Sequence, residues 1–201
     1  GIGVDYSALR PRGRTLKRTG GKASGPIPLM YAVNEVGRNV MQGGSRRSAI
    51  YASLNWQHED IPEFLNSKNW SELEVVPGVS YADAKAANFN YPAPLDMTNI
   101  SVNYDDAWLT LPSRATNPTF LENCRQAMKT GEPGFSFNFG DKQNETLRNA
   151  CTEVTSSDDS DVCNLGSINM GNIDSIDEFH RIVGLASKFL VCGTLRADLP
   201  Y

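Results

Sequence analysis

Histidine is scarce in this chain: two residues of 201, His58 and His180. A histidine-rich metal centre and a Cys/His hydrolase both lack their parts, since neither histidine lies in a recognisable partner motif for a thiol. Cysteine is sparse too, with four in all. Their spacing is neither the CxxC of a zinc site nor the framework of a small secreted domain. That usage fits a reducing compartment, so the cytoplasm is the expected location. Long apolar runs are missing, which excludes a helical membrane span. No basic-then-apolar leader opens the chain, which starts at Gly rather than Met. A strong charge of one sign is missing as well: the net charge is −4, and nothing points to a nucleic acid or another polyanion as partner. Repeats and low-complexity tracts do not occur. Three matches to the glycosylation acceptor pattern, at Asn69, Asn99 and Asn144, are chance matches without a secretory signal. The apolar share, 40%, is enough to fill the core of one domain or of a large piece of one.

Periodicity then divides the chain. Gly1-Ile2-Gly3-Val4 reads as the end of a buried strand, where glycine permits close approach by another backbone or a ligand. Residues 5–28, rich in Gly, Arg and Lys, form a loop: either a solvated surface segment or one that contacts an anion. Leu29, Met30, Val33, Val36, Val40 and Met41 make a helical stripe expected to face the core. Gln42-Gly43-Gly44-Ser45-Arg46-Arg47 joins that helix to a strand over 48–54. The glycines there are a simple helix end, or the arginines are an anion grip. A short helix covers 60–67, with His58 as an ordinary polar residue at its start. Residues 68–98 read as irregular with a helical turn near 82–88, and 99–103 as a half-buried strand. A helix runs from Pro118 to about Lys129, with Phe120, Leu121, Cys124 and Met128 inward and Cys124 structural. Gly134–Phe139 alternates as a strand. After Asp174, a cap by residue type, a long helix continues to about Val191, with Phe179, Ile182, Val183 and Phe189 inward and His180 on the surface. Strands alternating with amphipathic helices give an α/β class.

The stretch richest in chemistry is RNACTEVTSSDDSDVCNLGSINM, residues 148–170. Side chains two apart in extended backbone point the same way, so Asn149, Cys151 and Glu153 converge. They offer an amide for a substrate oxygen, a thiol, and a carboxylate able to move a proton. Cys163 follows an acidic turn that can return it toward Cys151. On spacing alone the cysteines also read as small buried apolar residues, and a Cys151–Cys163 structural disulfide stays open although the chain shows no sign of secretion.

N-x-C-x-E followed by C-N-L-G-S-I-N-M resembles the active-site segment of the ribonucleotide reductase large (catalytic) subunit. GIGV, QGGSRR, NACTE and CNLGSINM occur in the family's order over nearly the whole chain. The resemblance implies part of a ten-stranded α/β barrel, one partial catalytic domain over residues 1–201, with a finger loop at 148–154. It implies that Cys151 becomes the thiyl radical that abstracts the ribose 3′-hydrogen. Asn149 then holds the substrate hydroxyls, Glu153 is the base at the 3′-hydroxyl, and Cys163 is half of the redox pair. Two specificity loops fall at about 5–25 and 42–47: Arg10 on the effector-phosphate position, Gln42, Gly43, Gly44 and Ser45 on the loop that shifts, Arg46 reaching the substrate. Gly1 falls where backbone meets substrate.

The implied partners are a ribonucleoside di- or triphosphate, a dNTP or ATP effector, a thioredoxin-type dithiol and the remaining segments of a longer reductase chain. The implied cofactor is adenosylcobalamin, because GGSRRSA and VCNLGSINM are closer to the cobalamin-dependent class. The alternative is a class whose radical comes from a metal-containing small subunit. The family's catalytic chain is several times longer, so the expectation is a central fragment, inactive by itself. Two other classes remain: a nucleotide-binding module without chemistry, and an inert structural fragment.

Overall fold

A computed structural model describes residues 1–41, 47–155 and 162–197. The chain divides into two compact units, Gly1–Ser157 and Asp158–Tyr201.

In the first unit four parallel strands form one sheet: β1 (Ile2–Asp5), β2 (Ile50–Asn55), β5 (Thr98–Tyr104) and β6 (Gly134–Phe137), in the order β1-β2-β5-β6. Helices α1 (Ile27–Asn39), α2 (Ile61–Asn66), α4 (Asp106–Leu109) and α5 (Pro118–Thr130) lie between them in sequence. A small hairpin, β3 (Glu74–Val76) with β4 (Val79–Ser80), leads into α3 (Tyr81–Ala87). The helix falls on the helical turn expected near 82–88, whereas the hairpin occupies a stretch whose proline and glycine suggested irregular structure. The Ser80–Asp83 capping box starts α3.

The register gives the sheet two faces of different chemistry. Ile50, Ala52 and Leu54 align with Thr98, Ile100 and Val102. Ala52, Leu54, Ile100 and Val102 join Ile27, Met30, Ile61, Phe64 and Trp108 in one core. Complete burial of side chains such as Leu54, Phe64 and Val102 contributes about 1.5–3 kcal/mol each. The opposite face carries Gly3 and Asp5, Tyr51 and Ser53, Asn99, Ser101 and Asn103, then Gly134 and Ser136. Ser53, Ser101, Asn103 and Ser136 are nevertheless buried. The 99–103 strand is therefore covered on both sides rather than half-buried, as parallel sheets usually are.

The helices correct the expected inward faces. In α1 the buried positions are Ile27, Met30, Asn34 and Gly37, whereas Leu29, Val36, Val40 and Met41 are exposed. Asn34 is inside because its Oδ1 accepts hydrogen bonds from the Met97 amide (3.0 Å) and the Thr98 hydroxyl (2.8 Å), groups the core would otherwise strand. Gly37 is inside because a Cβ there would lie 2.6 Å from Ile50 Cδ1. In α5 the buried residues are Asn123 and Gln126, bonded to the Pro133 carbonyl and Asn66, while Met128 is 89% exposed. Cys124 is half-buried. Each polar side chain completes backbone or side-chain bonds that an apolar one would leave unmade.

The second unit holds α6 (Ile176–Arg196), capped by the Ser175 hydroxyl rather than by Asp174. It runs through Cys192. The residues expected inward are not buried, and Phe189 is 78% exposed. An amphipathic pattern shows which face can take a partner, not that the described residues supply one. No helix among the described residues is long and apolar enough to cross a membrane.

Candidate active site

Residues 148–155 form a narrow loop on the polar face of the sheet. Arg148 and Thr155 pair as an antiparallel bridge at its base. The turn is closed from within: the Thr152 amide donates to the Asn149 carbonyl (2.9 Å) and the Val154 amide to Asn149 Oδ1 (3.1 Å). Thr152 has φ +74°, the left-handed conformation that reverses the chain just after Cys151. Asn149 is thus the internal staple, and asparagine suits such side-chain-to-backbone turns.

Two of the three expected groups meet directly: Asn149 Nδ2 donates to Glu153 Oε1 at 2.8 Å. Cys151 lies between them in sequence and is exposed at the turn. An amide and a carboxylate in contact beside an exposed thiol can hold a hydroxyl group and accept its proton. Cys163 lies in the second unit and is exposed.

The sheet holds the loop through groups that sequence reasoning missed. Asn99 Nδ2 donates to the Ala150 carbonyl. Arg148 donates from Nε to Ser136 Oγ (2.7 Å) and from Nη2 to Asn138 Oδ1 (3.0 Å). The Arg148 carbonyl lies so near Gly3 that a Cβ there would stand 2.1 Å from it. The glycine expected to permit close approach therefore does so toward the loop's own backbone. Tyr51 is buried beneath this region, and burial raises its hydroxyl pKa, partly offset by Ser136, Ser53, Ser101 and the charge of Arg148. The polar alternation of Asn99, Ser101 and Asn103 was the available signal.

Of the other expected site residues, Gly1 is exposed at the start of β1, where a Cβ would meet the Ala49 carbonyl at 2.8 Å. Arg10 is exposed. Gln42, Gly43, Gly44, Ser45 and Arg46 lie outside the described residues. The 5–25 loop is pinned to the start of α2. Asp60 accepts the Arg12 amide at 2.9 Å, and Arg12 and Arg14 pair with Glu63 and Glu59. His58 is no ordinary surface residue: its side chain is 6% exposed, its Nε2 is 2.9 Å from the Leu9 carbonyl, and its Nδ1 accepts the Asp60 amide. His58 thus bridges the 5–25 loop and the start of α2.

Two cavities, of about 530 and 510 Å³, are lined respectively by Tyr31, Arg38, Tyr81 and neighbours, and by Leu121, Cys124 and Met128. Neither adjoins residues 148–155. Among the described residues no group of three or more His, Cys, Asp or Glu side chains is placed to hold a metal ion.

The family model described as "Ribonucleotide reductase, barrel domain" matches residues 1–108. This chain belongs to the ribonucleotide reductase barrel-domain family. The vitamin B12-dependent ribonucleoside-diphosphate reductase of Mycobacterium tuberculosis is 29% identical over 94% of this chain and 29% of its own length. That of Thermoplasma acidophilum is 30% identical over 94% of this chain and 26% of its own. A protein of Mycobacterium phage D29, named as a putative adenosylcobalamin-dependent ribonucleoside-triphosphate reductase, is 27% identical over 96% of this chain and 32% of its own. The chain thus spans under a third of the length of these relatives. The parallel sheet with helices on its apolar face is the α/β architecture expected of part of that barrel.

Proposed function

We propose that this chain is part of the catalytic chain of a ribonucleotide reductase, reducing ribonucleotides to 2′-deoxyribonucleotides, with residues 148–155 as its finger loop. The observation that carries the reading is the Asn149–Glu153 contact flanking Cys151, on the polar face of a sheet of this family.

In the proposed reaction the Cys151 thiyl radical takes the 3′-hydrogen of the ribose, leaving a carbon radical at C3′. Glu153 accepts the 3′-hydroxyl proton while Asn149 holds the substrate oxygens. The 2′-hydroxyl takes a proton and leaves as water. Cys163 and a second thiol supply two electrons and two protons, one proton to the leaving hydroxyl and one to C2′, and close to a disulfide, while Glu153 returns its proton to the 3′-oxygen. Cys151 then returns the hydrogen to C3′ and regains its radical. The net change is ribonucleotide plus dithiol to deoxyribonucleotide, disulfide and water. A thioredoxin-type dithiol resets the pair. Shielding of the radical from water asks for further chain over the exposed Cys151.

Gly1 is proposed at the substrate, Arg10 at the phosphate of a dNTP or ATP effector, and residues 42–46 between effector and substrate. Both diphosphate and triphosphate reductases occur among the relatives' names, and the cobalamin names favour adenosylcobalamin as radical source over a metal-containing small subunit. The cytoplasm is the proposed location.

The test is reductase activity of this chain combined with the flanking segments of a homologous reductase, with a dithiol and adenosylcobalamin. Activity should require cobalamin, and Cys151→Ser should abolish it, at least about 10³-fold, as loss of a covalently participating group does. Full activity of Cys151→Ser would overturn the assignment. Rescue by a metal-radical subunit instead would keep the reaction and change the radical source.

A further inference from the structure

We infer that Arg148 is a positioning residue, whose guanidinium ties the Asn149–Glu153 loop to Ser136 and Asn138 of the sheet and so fixes where Cys151 stands. The inference takes its meaning from the reductase reading, but its geometry stands independently.

The anchor is itself rigid. Ser136 and Asn138 are buried, Asn138 Nδ2 donates to Ser136 Oγ (3.1 Å), and the Asn138 amide donates to the Tyr104 carbonyl (2.9 Å). Two nitrogens of Arg148 reach this pair at 2.7 and 3.0 Å, and a third reaches back to the Thr152 carbonyl at 3.4 Å. The cation therefore touches the sheet and the far arm of the loop together. Its backbone also closes the loop against Thr155, with its carbonyl packed on Gly3.

Arginine suits this task for a physical reason. Its guanidinium is planar, stays charged, and offers several donors in a fixed fork. Hydrogen bonds to a charged donor in a part-buried place are stronger than neutral ones. A lysine presents one compact charge and cannot hold Ser136, Asn138 and Thr152 at once. Arg148 need not touch a substrate: it acts through Asn149, its neighbour, which staples the turn.

The experiment is hydrogen–deuterium exchange on the 201-residue chain, comparing the original with Arg148→Met, Arg148→Lys and the double variant Ser136→Ala/Asn138→Ala. Arg148→Met should speed exchange in 149–155, including the Thr152 and Val154 amides, by about tenfold or more, as expected for losing charge-assisted bonds that hold a local unit closed. The β5 amides should stay unchanged. Arg148→Lys should recover part of the protection, and the double variant should reproduce Arg148→Met. Unchanged exchange in 149–155 overturns the inference. So does a rise spread equally over β5 and α1 in both Arg148→Met and the double variant, because Arg148 would then hold the sheet rather than the loop. Exchange measures loop order and not reduction, so inactivity of the assembled enzyme would count against the reductase reading alone.

Discussion

Gly3→Ala tests how tightly β1 holds the 148–155 loop. A Cβ at this position would lie 2.1 Å from the Arg148 carbonyl oxygen, and 3.2 and 3.3 Å from the Arg148 carbonyl carbon and amide nitrogen. An ordinary carbon–oxygen contact needs about 3.3 Å, so the loop must retreat by roughly 1 Å. All three neighbours are backbone, and no rotamer change relieves them. The retreat pulls on the Arg148–Thr155 bridge and on the Asn99 bond to the Ala150 carbonyl. Forcing an extra methyl into a packed site costs about 1–3 kcal/mol. Against it stands a gain of about 0.4–1 kcal/mol from a stiffer unfolded chain. The net destabilisation is about 1–2 kcal/mol, or roughly 3–6 °C in Tm for a unit of this size. Thermal unfolding by circular dichroism measures it. Gly184→Ala is the control: it lies inside α6 with nothing within 4 Å of its added Cβ. It should stabilise its helix by up to about 1 kcal/mol. A Gly3→Ala protein as stable as the original, with its loop amides equally protected, would refute the packing of Gly3 against Arg148.

Two other predictions concern buried polar groups. The Asp96 side chain, 3% exposed, receives Arg38 at 2.6 Å and Lys85 at 3.1 Å. Burial pushes its carboxyl pKa up, but bonds from Arg38, Lys85, the Ala93 amide and Asn34 outweigh that and hold it below the usual range. A depressed folded pKa means that Asp96 stabilises fully above its unfolded value of about 3.9 and loses that contribution as pH falls through the folded one. Asp96→Ala should therefore cost up to about 3 kcal/mol at pH 7, because Lys85 loses its carboxylate and Arg38 keeps only Glu35. The cost should shrink on acidification, as urea titrations at pH 7 and pH 3 would show; an equal cost at both would rule the ion network out. Tyr104 is fully buried among Trp108, Phe120 and Phe137, and its hydroxyl has no hydrogen-bond partner among the described residues. Tyr104→Phe should be neutral or stabilising by up to about 1 kcal/mol, and a loss above that would reveal a partner for the hydroxyl.

The α/β class, most element positions, and the residues at the tip of the loop were legible from sequence because they depend on local pattern. Alternation marks a strand whatever covers it, Pro118 starts α5 and Gly131 ends it in the left-handed conformation, and Asn-x-Cys-x-Glu is a local spacing. The family was legible because its motifs are contiguous. The inward faces were not. Asn34, Asn123 and Gln126 are polar by composition, and only the carbonyls, amides and side chains they meet in the fold, from residues 10 to 63 positions away, make the interior their place. His58 likewise gained its role from the Leu9 carbonyl. Gly3 and Arg148 are 145 positions apart, and their contact exists because β1 lies beside β2 and the loop crosses the sheet above them. The sequence by itself determined which groups are offered for the proposed chemistry. The tertiary structure decided which face of the sheet carries them and what holds them there, because register, burial and long-range hydrogen bonds arise only when distant segments meet.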